Sequence, residues 1–341
     1  MIKVSAPGKV HLIGEHAAVY GEPAIIAAIG KRCHVQADKA DDVRIESREL
    51  NTERIYPLSE TIAFTKNVQK LWDTGFEAKN FSQLFGFMKR DGMYPAKAAI
   101  GKALISLGID NGVTLKISSD VPIGSGLGSS SSMSVAIVKA IAELYKKNLT
   151  LEQINEIAFS IEQFNHGTPS GGDNSACCYG GLIWFQKSNP KNIIQSLKAE
   201  IPYKLENFVL VNVGKPEKTT GELVQHVRNL PEDFRNPRIK AIGAATMAMR
   251  DALEQKDFGK MKALINFAQR YLAELGVSTK EIDDVSKAVL SIGGAAKLCG
   301  AGGGGTVLCY HENKNKVIQA IQELGYTPME VELGTEGVRK D

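Results

Sequence analysis

Residues 120–133 read DVPIGSGLGSSSSM, and the fold is decided by what this stretch connects. Before it, Val113, Leu115 and Ile117 alternate with Thr114, Lys116 and Ser118, the period-2 pattern of a half-buried strand. After it, Met133, Ile137, Val138, Ile141, Leu144 and Tyr145 recur at helical spacing. The stretch therefore joins a strand to a helix that opens on a run of serines. Unpaired backbone N–H groups and the positive end of the helix dipole favour an anion at such a point. Gly124, Gly126 and Gly128 let the main chain approach a phosphate with no Cβ between. Ser129, Ser130, Ser131 and Ser132 add hydroxyls for a phosphate oxygen or a metal. Two common nucleotide loops do not fit. A Walker loop needs Gly-Lys-Ser/Thr and no lysine stands here, while the dinucleotide fingerprint needs glycine at position 129, which is serine.

Composition sets wider bounds. A chain of 341 residues is long for one core and suits two domains. Hydrophobic residues at 43% and charged residues at 23% are ordinary for a globular protein. The net charge of +3 is dispersed, which speaks against nucleic acid or an anionic membrane as partner. The longest apolar run, residues 24–29, is far too short to span a bilayer, and the strand-like IKV at the start leaves no room for a leader. Five cysteines without a CxxC read as reduced thiols of a cytosolic protein, and no HExxH suggests zinc.

Along the chain, residues 2–37 read as short strands joined by turns at Pro7, Gly8, Gly14 and Gly21, a β-meander. Lys9, Glu15 and His16 are polar groups in these apolar surroundings. Pro95 opens a helix that Gly108 stops. Thr150 and Gln153 form a capping box, and the helix they start carries Glu162 beside its buried stripe. The next segment, NHGTPSGGDNSACCYGG (165–181), reads as a loop leading into the strand LIWF and carries Asp173. One carboxylate on a helix and one on a following turn are placed to converge on a cation or a substrate hydroxyl. Beyond Pro190 the chain becomes more helical, which predicts a division into residues 1–190 and 191–341. In the second part, KLCGAGGGGTVLCYHE sets Gly300 and the glycines 302–305 between two strand-like pieces, so backbone again approaches something closely.

Taken in order, GEHAAVYG, PIGSGLGSSSS and KLCGAGGGG resemble the three motifs of the GHMP kinases, the galactokinase, homoserine, mevalonate and phosphomevalonate kinases. GEHAAVYG and HGTPSGGDN are most similar to the mevalonate-phosphorylating branch. The resemblance implies an α+β, two-domain fold. Its N-terminal α+β ATP-binding domain has a left-handed βαβ unit at the phosphate loop, and its C-terminal domain is ferredoxin-like. ATP is implied as co-substrate, Mg²⁺ as cofactor, mevalonate as acceptor and 5-phosphomevalonate as product, in a cytoplasmic enzyme whose relatives are expected to form homodimers. Carried over by position, Asp173 is the base and Lys9 its neighbour. Gly124, Ser125, Gly126, Leu127, Gly128, Ser129, Ser130, Ser131 and Ser132 hold the phosphates. Ser130 and Glu162 ligate Mg²⁺, and Glu15, His16 and Thr220 face the acceptor. Two departures stand out. Gly172 replaces a usual isoleucine or valine, and Ser131 and Ser132 replace alanines, so alanine at 131 is expected to be tolerated. A kinase for another small alcohol, and a non-catalytic sensor, are the rival readings. The joint presence of Lys9, Ser130, Glu162 and Asp173 argues against the sensor.

Overall fold

The computed structural model describes residues 1–341. The chain opens with β1 (Ile2–Ile13) and β2 (Pro23–Ala40), linked through a single helical turn at Ala17–Tyr20. Two long strands thus replace the expected meander of short ones. Pro7 and Gly8 do not turn the chain. They lie opposite a bulge in β2, where Pro7 pairs with Arg32 and Gly8 with Ile29, leaving Gly30 and Lys31 over, and β1 runs straight on. Then come β3 (Val43–Ser47), β4 (Thr52–Tyr56), α1 (Leu58–Glu77), α2 (Ser82–Met88), α3 (Tyr94–Leu107) and β5 (Gly112–Ser119). Pro95 stands in the first turn of α3, and Gly108 closes it in the left-handed conformation, as proline and glycine at those ends should. The central helices α4 (Ser129–Leu144), α5 (Leu151–His166) and α6 (Gly172–Tyr179) follow, then β6 (Leu182–Gln186) and β7 (Ile193–Ser196).

The remainder comprises β8 (Leu205–Asn212), α7 (Thr220–Asn229), α8 (Glu232–Glu254), α9 (Phe258–Glu274), α10 (Lys280–Ser291), β9 (Ala295–Leu298), β10 (Thr306–Tyr310), α11 (Lys314–Glu323), β11 (Pro328–Leu333) and β12 (Arg339–Lys340). One sheet runs through both halves in the order β4-β3-β5-β2-β11-β8-β10-β9, with β2 also pairing β1 and β6. Its hinge is narrow: β11 meets β2 only at Leu333 opposite Ile29. β2 is the spine, and its apolar run 24–29 is buried on both faces. The division near residue 190 remains a proposal. β7 lies beyond that point yet pairs with β6, and β12 returns to pair with β1.

The second difference concerns residues 165–181. Instead of one long loop, α5 runs on to His166 and a further helix, α6, covers Gly172–Tyr179. Burial explains it. Ala176, Cys177 and Cys178 are fully enclosed, and buried backbone must be hydrogen-bonded, which one helical turn after another achieves. Gly171, left-handed at φ 86°, turns the chain into this helix.

Candidate active site

The loop between β5 and α4 has the shape its glycines require. Gly124, Gly126 and Gly128 all have φ between 74° and 77°, the left-handed region that disfavours side chains. Gly128 is the N-cap of α4 and no side chain caps that end, so the first N–H groups of the helix are left for a ligand. A Cβ at Gly128 would come within 2.7 Å of the Lys9 stem. Glycine here therefore lets the loop close onto β1, where the Lys9 amide donates to the Leu127 carbonyl at 2.8 Å. From the second half, Thr306 Oγ1 donates to the Ser125 carbonyl at 2.9 Å, tying the two glycine-rich loops together.

α4 is buried nearly all round, including Ser131, Ser132 and Ser134. Small residues let it lie close to its neighbours, and each enclosed hydroxyl must then find an acceptor. Ser132 Oγ donates to the Ser129 carbonyl. The others converge on Glu162 of α5, itself 2% exposed. Ser130 Oγ reaches Oε1 and Ser131 Oγ reaches Oε2, each at 2.6 Å, and Ser134 Oγ adds 3.0 Å to Oε1. The tolerance expected for alanine at 131 left out this bond. Asn165 Nδ2 donates to Ser130 Oγ at 3.1 Å, and His166 Nε2 lies 3.6 Å from the carboxylate. No lysine or arginine pairs with Glu162.

Asp173 stands in the first turn of α6, a favourable place for an acid at the positive end of a helix. Its Oδ2 is 3.0 Å from Lys9 Nζ. The lysine is 7% exposed and the aspartate 40% exposed, so the cation is fixed inside while the carboxylate faces the cleft. Burial would raise the Asp173 pKa, but the charge and hydrogen bond of Lys9, with His11 beside them, overrule it and hold the group below the ordinary range. Glycine at 172 has a local reason: a Cβ there would meet Ile26 Cδ1 at 2.6 Å and Phe185 at 3.3 Å. In this chain those two side chains fill the space that isoleucine or valine would take.

Two cavities open on either side of this pair. One, of about 450 Å³, is lined by Lys9, the 124–131 loop and the Gly300–Thr306 loop. The other, of about 560 Å³, is lined by Glu15, His16, the 168–170 segment, Lys187 and Thr220. They share His11, Asp173, Thr220, Gly300 and Ala301. Glu15 lines the second cavity, but one of its oxygens is paired with the fully buried Lys297 of β9. Lys297 also donates to the carbonyls of His11 and Leu298, at 3.1 and 2.9 Å. Burial raises the Glu15 pKa, against the pull of Lys297. His16 has φ 59°, a strained value for a side-chain-bearing residue, and its Nε2 donates to the Ala301 carbonyl at 2.9 Å. Loss of water around the ring lowers its pKa, so the imidazole is neutral.

Four residues of the site escaped the sequence reading. His11 lies two residues beyond Lys9 on the same face of β1, a period-2 signal that was available. Lys297 stands among Ala295, Ala296 and Leu298, where a lone lysine in an apolar strand points to a buried partner. Ser134 and Lys187 carried no signal in the linear chain.

Comparison with known proteins identifies the family. The family model for the GHMP kinases N terminal domain matches residues 94–181, and that for GHMP kinases C terminal matches residues 249–328. The mevalonate kinase of Pyrococcus furiosus is 31% identical over 349 residues, covering 98% of this chain and 97% of its own. That of Thermococcus sibiricus is 30% identical, covering 99% and 98%. The crystal structure of the Methanococcus jannaschii mevalonate kinase superposes with a TM-score of 0.83 at 26% identity, covering 98% of each chain. With full-length relatives of this kind and both domain models matched in order, the chain belongs to the GHMP kinase family, among its mevalonate kinases.

Proposed function

We propose that this chain is an alcohol phosphotransferase that moves the γ-phosphoryl group of ATP to the primary 5-hydroxyl of mevalonate, releasing 5-phosphomevalonate and ADP for isoprenoid synthesis. The observation that carries this reading is the meeting of two cavities at Asp173, with Lys9 behind it. The glycine- and serine-rich loop, Gly124 to Ser132, offers backbone N–H groups to the phosphates on one side. Glu15, His16 and Thr220 form the acceptor wall on the other.

In the reaction the alcohol oxygen attacks the γ-phosphorus, the bond to the ADP oxygen breaks, and the alcohol proton leaves. Asp173 is ionised near neutral pH because Lys9 holds its pKa down. A carboxylate so stabilised is a weak base, so its work is to orient the hydroxyl and draw off its proton as the new bond forms. Lys9, held 7% exposed, places a fixed positive charge where the oxygen and the transferring group carry negative charge. Neutral His16 ties the acceptor wall to Ala301, and Lys187, on the same wall, supplies the cation for the mevalonate carboxylate.

Ser130 and Glu162 present a hydroxyl and a carboxylate, the hard oxygen donors that Mg²⁺ takes alongside nucleotide phosphates, and Glu162 is a buried anion with no lysine or arginine partner. They would hold Mg²⁺ there, and the ion would supply charge neutralisation for the phosphates. The free state of all five cysteines supports a cytoplasmic setting, and no helix is long and apolar enough to cross a membrane. A homodimer is the family expectation, read by sedimentation. A screen of ADP release with mevalonate, phosphomevalonate, galactose and homoserine tests the assignment. Mevalonate should react fastest, and preference for any other acceptor would replace it.

A further inference from the structure

Both oxygens of Glu162 are held by serines of α4. Ser130 and Ser134 both donate to Oε1, whereas Ser131 is the α4 hydroxyl that reaches Oε2, at 2.6 Å. Ser131 and Glu162 are each 2% exposed, so water is poorly placed to stand in for that hydroxyl. The other group beside Oε2, His166 Nε2, is 3.6 Å away on a ring more than half exposed. Without Ser131 the carboxylate plane would be pinned from one oxygen alone. We propose that Ser131 is a positioning residue: by fixing Oε2 it keeps Oε1 beside Ser130, so that the two oxygens are pre-arranged for a divalent cation. This rests on the reading of Ser130 and Glu162 as the Mg²⁺-holding pair. The Ser131 hydroxyl is taken up by Glu162, which leaves its backbone N–H for phosphate. Partners that orient a metal ligand commonly carry about 10–100-fold in metal affinity.

The test uses Mn²⁺ as a spectroscopic stand-in, titrated into the full chain with saturating ADP and followed by the electron paramagnetic resonance of free Mn²⁺. No turnover is required. Ser131→Ala should fold, since alanine is the stronger helix former, and should bind ADP without metal as the parent does. Its half-saturating Mn²⁺ concentration should rise roughly tenfold or more, and that of Glu162→Gln further still. A shift in Glu162→Gln with none in Ser131→Ala overturns the inference and leaves the metal site standing. No shift in Glu162→Gln overturns the metal site itself, and the inference with it. A lowered melting temperature in Ser131→Ala with unchanged Mn²⁺ binding makes the hydroxyl merely structural, which also overturns it.

Discussion

Lys9 Nζ lies 3.0 Å from Asp173 Oδ2, although one residue comes from the first strand and the other from a short helix just past the middle of the chain. The lysine is enclosed by the 124–128 loop, whose Leu127 carbonyl takes its amide. The aspartate is delivered by α6, which is pinned to α5 through Asn174 and Asn155 at 2.7 Å. The 124–128 loop, the Lys9 ammonium and the Asp173 carboxylate are thus fixed to one another by packing.

If the pair acts as a unit, Asp173→Asn should lower kcat by about 10²–10⁴, the usual span for a positioned acid or base, with little change in the KM for ATP. Lys9→Met should also lower kcat. The double variant should lose less than the product of the two losses. Multiplying losses in steady-state kinetics, or near-normal kcat in Asp173→Asn, would reduce the aspartate to a loop-fixing role.

His11 gives the fold an acid sensitivity. Desolvation in the cleft, with the Lys9 charge beside it, pushes the imidazole down to about 3 from its ordinary 6.5. Between those values the unfolded chain takes up a proton that the folded chain refuses. Stability is therefore lost as pH falls from about 6.5 toward 3. Asp173, with its depressed pKa, contributes in a different window: its share is complete above the usual carboxylate range and is lost only below about pH 4. Thermal melts of His11→Gln should show a flatter slope than the parent from pH 6.5 to 4.5. An unchanged slope would assign the acid sensitivity elsewhere.

A β-branched side chain at 172 should hurt this protein. Gly172→Val would push into Ile26 and Phe185, an overpacking that costs about 1–3 kcal/mol, and would displace Asp173. Differential scanning calorimetry should show a lowered melting temperature, recovered in part by adding Ile26→Ala to make room. Full stability in the single variant would mean that Ile26 and Phe185 yield freely.

Lys187 is exposed, and an ion pair there is worth about 1 kcal/mol or less. Lys187→Met should accordingly raise the KM for mevalonate roughly fivefold, with kcat and the KM for ATP nearly unchanged. An unaltered KM would leave the mevalonate carboxylate to other groups on that wall.

Much of this was legible in the linear chain because it rests on local pattern. The strand before residue 120, the helix after it and the capping box at Thr150 follow from periodicity and short-range hydrogen bonding, and the structure carries them at β5, α4 and α5. Long-range burial was not legible. Pro7 and Gly8 read as a turn because nothing local says that β2 will pair with them on both sides of a bulge. Residues 165–181 read as a loop because of their glycines and proline, while the enclosure of Ala176, Cys177 and Cys178 that imposes α6 comes from β1, β2, α4 and α5. The Glu15–Lys297 pair joins residues at opposite ends of the chain, and neither one names the other. Ser131 looked neutral for the same reason, since its acceptor lies on another helix.

The central claim is that the two cavities meeting at Asp173 bring ATP and mevalonate together with the 5-hydroxyl foremost. It is tested most directly by incubating the protein with ATP, Mg²⁺ and ¹³C-labelled mevalonate and locating the phosphate by ³¹P and ¹³C nuclear magnetic resonance. The account predicts one product, with phosphorus coupled to carbon 5, and near-complete loss of that signal in Asp173→Asn over the same interval. Phosphate on the 3-hydroxyl, or no product from mevalonate while another alcohol is phosphorylated, would contradict it.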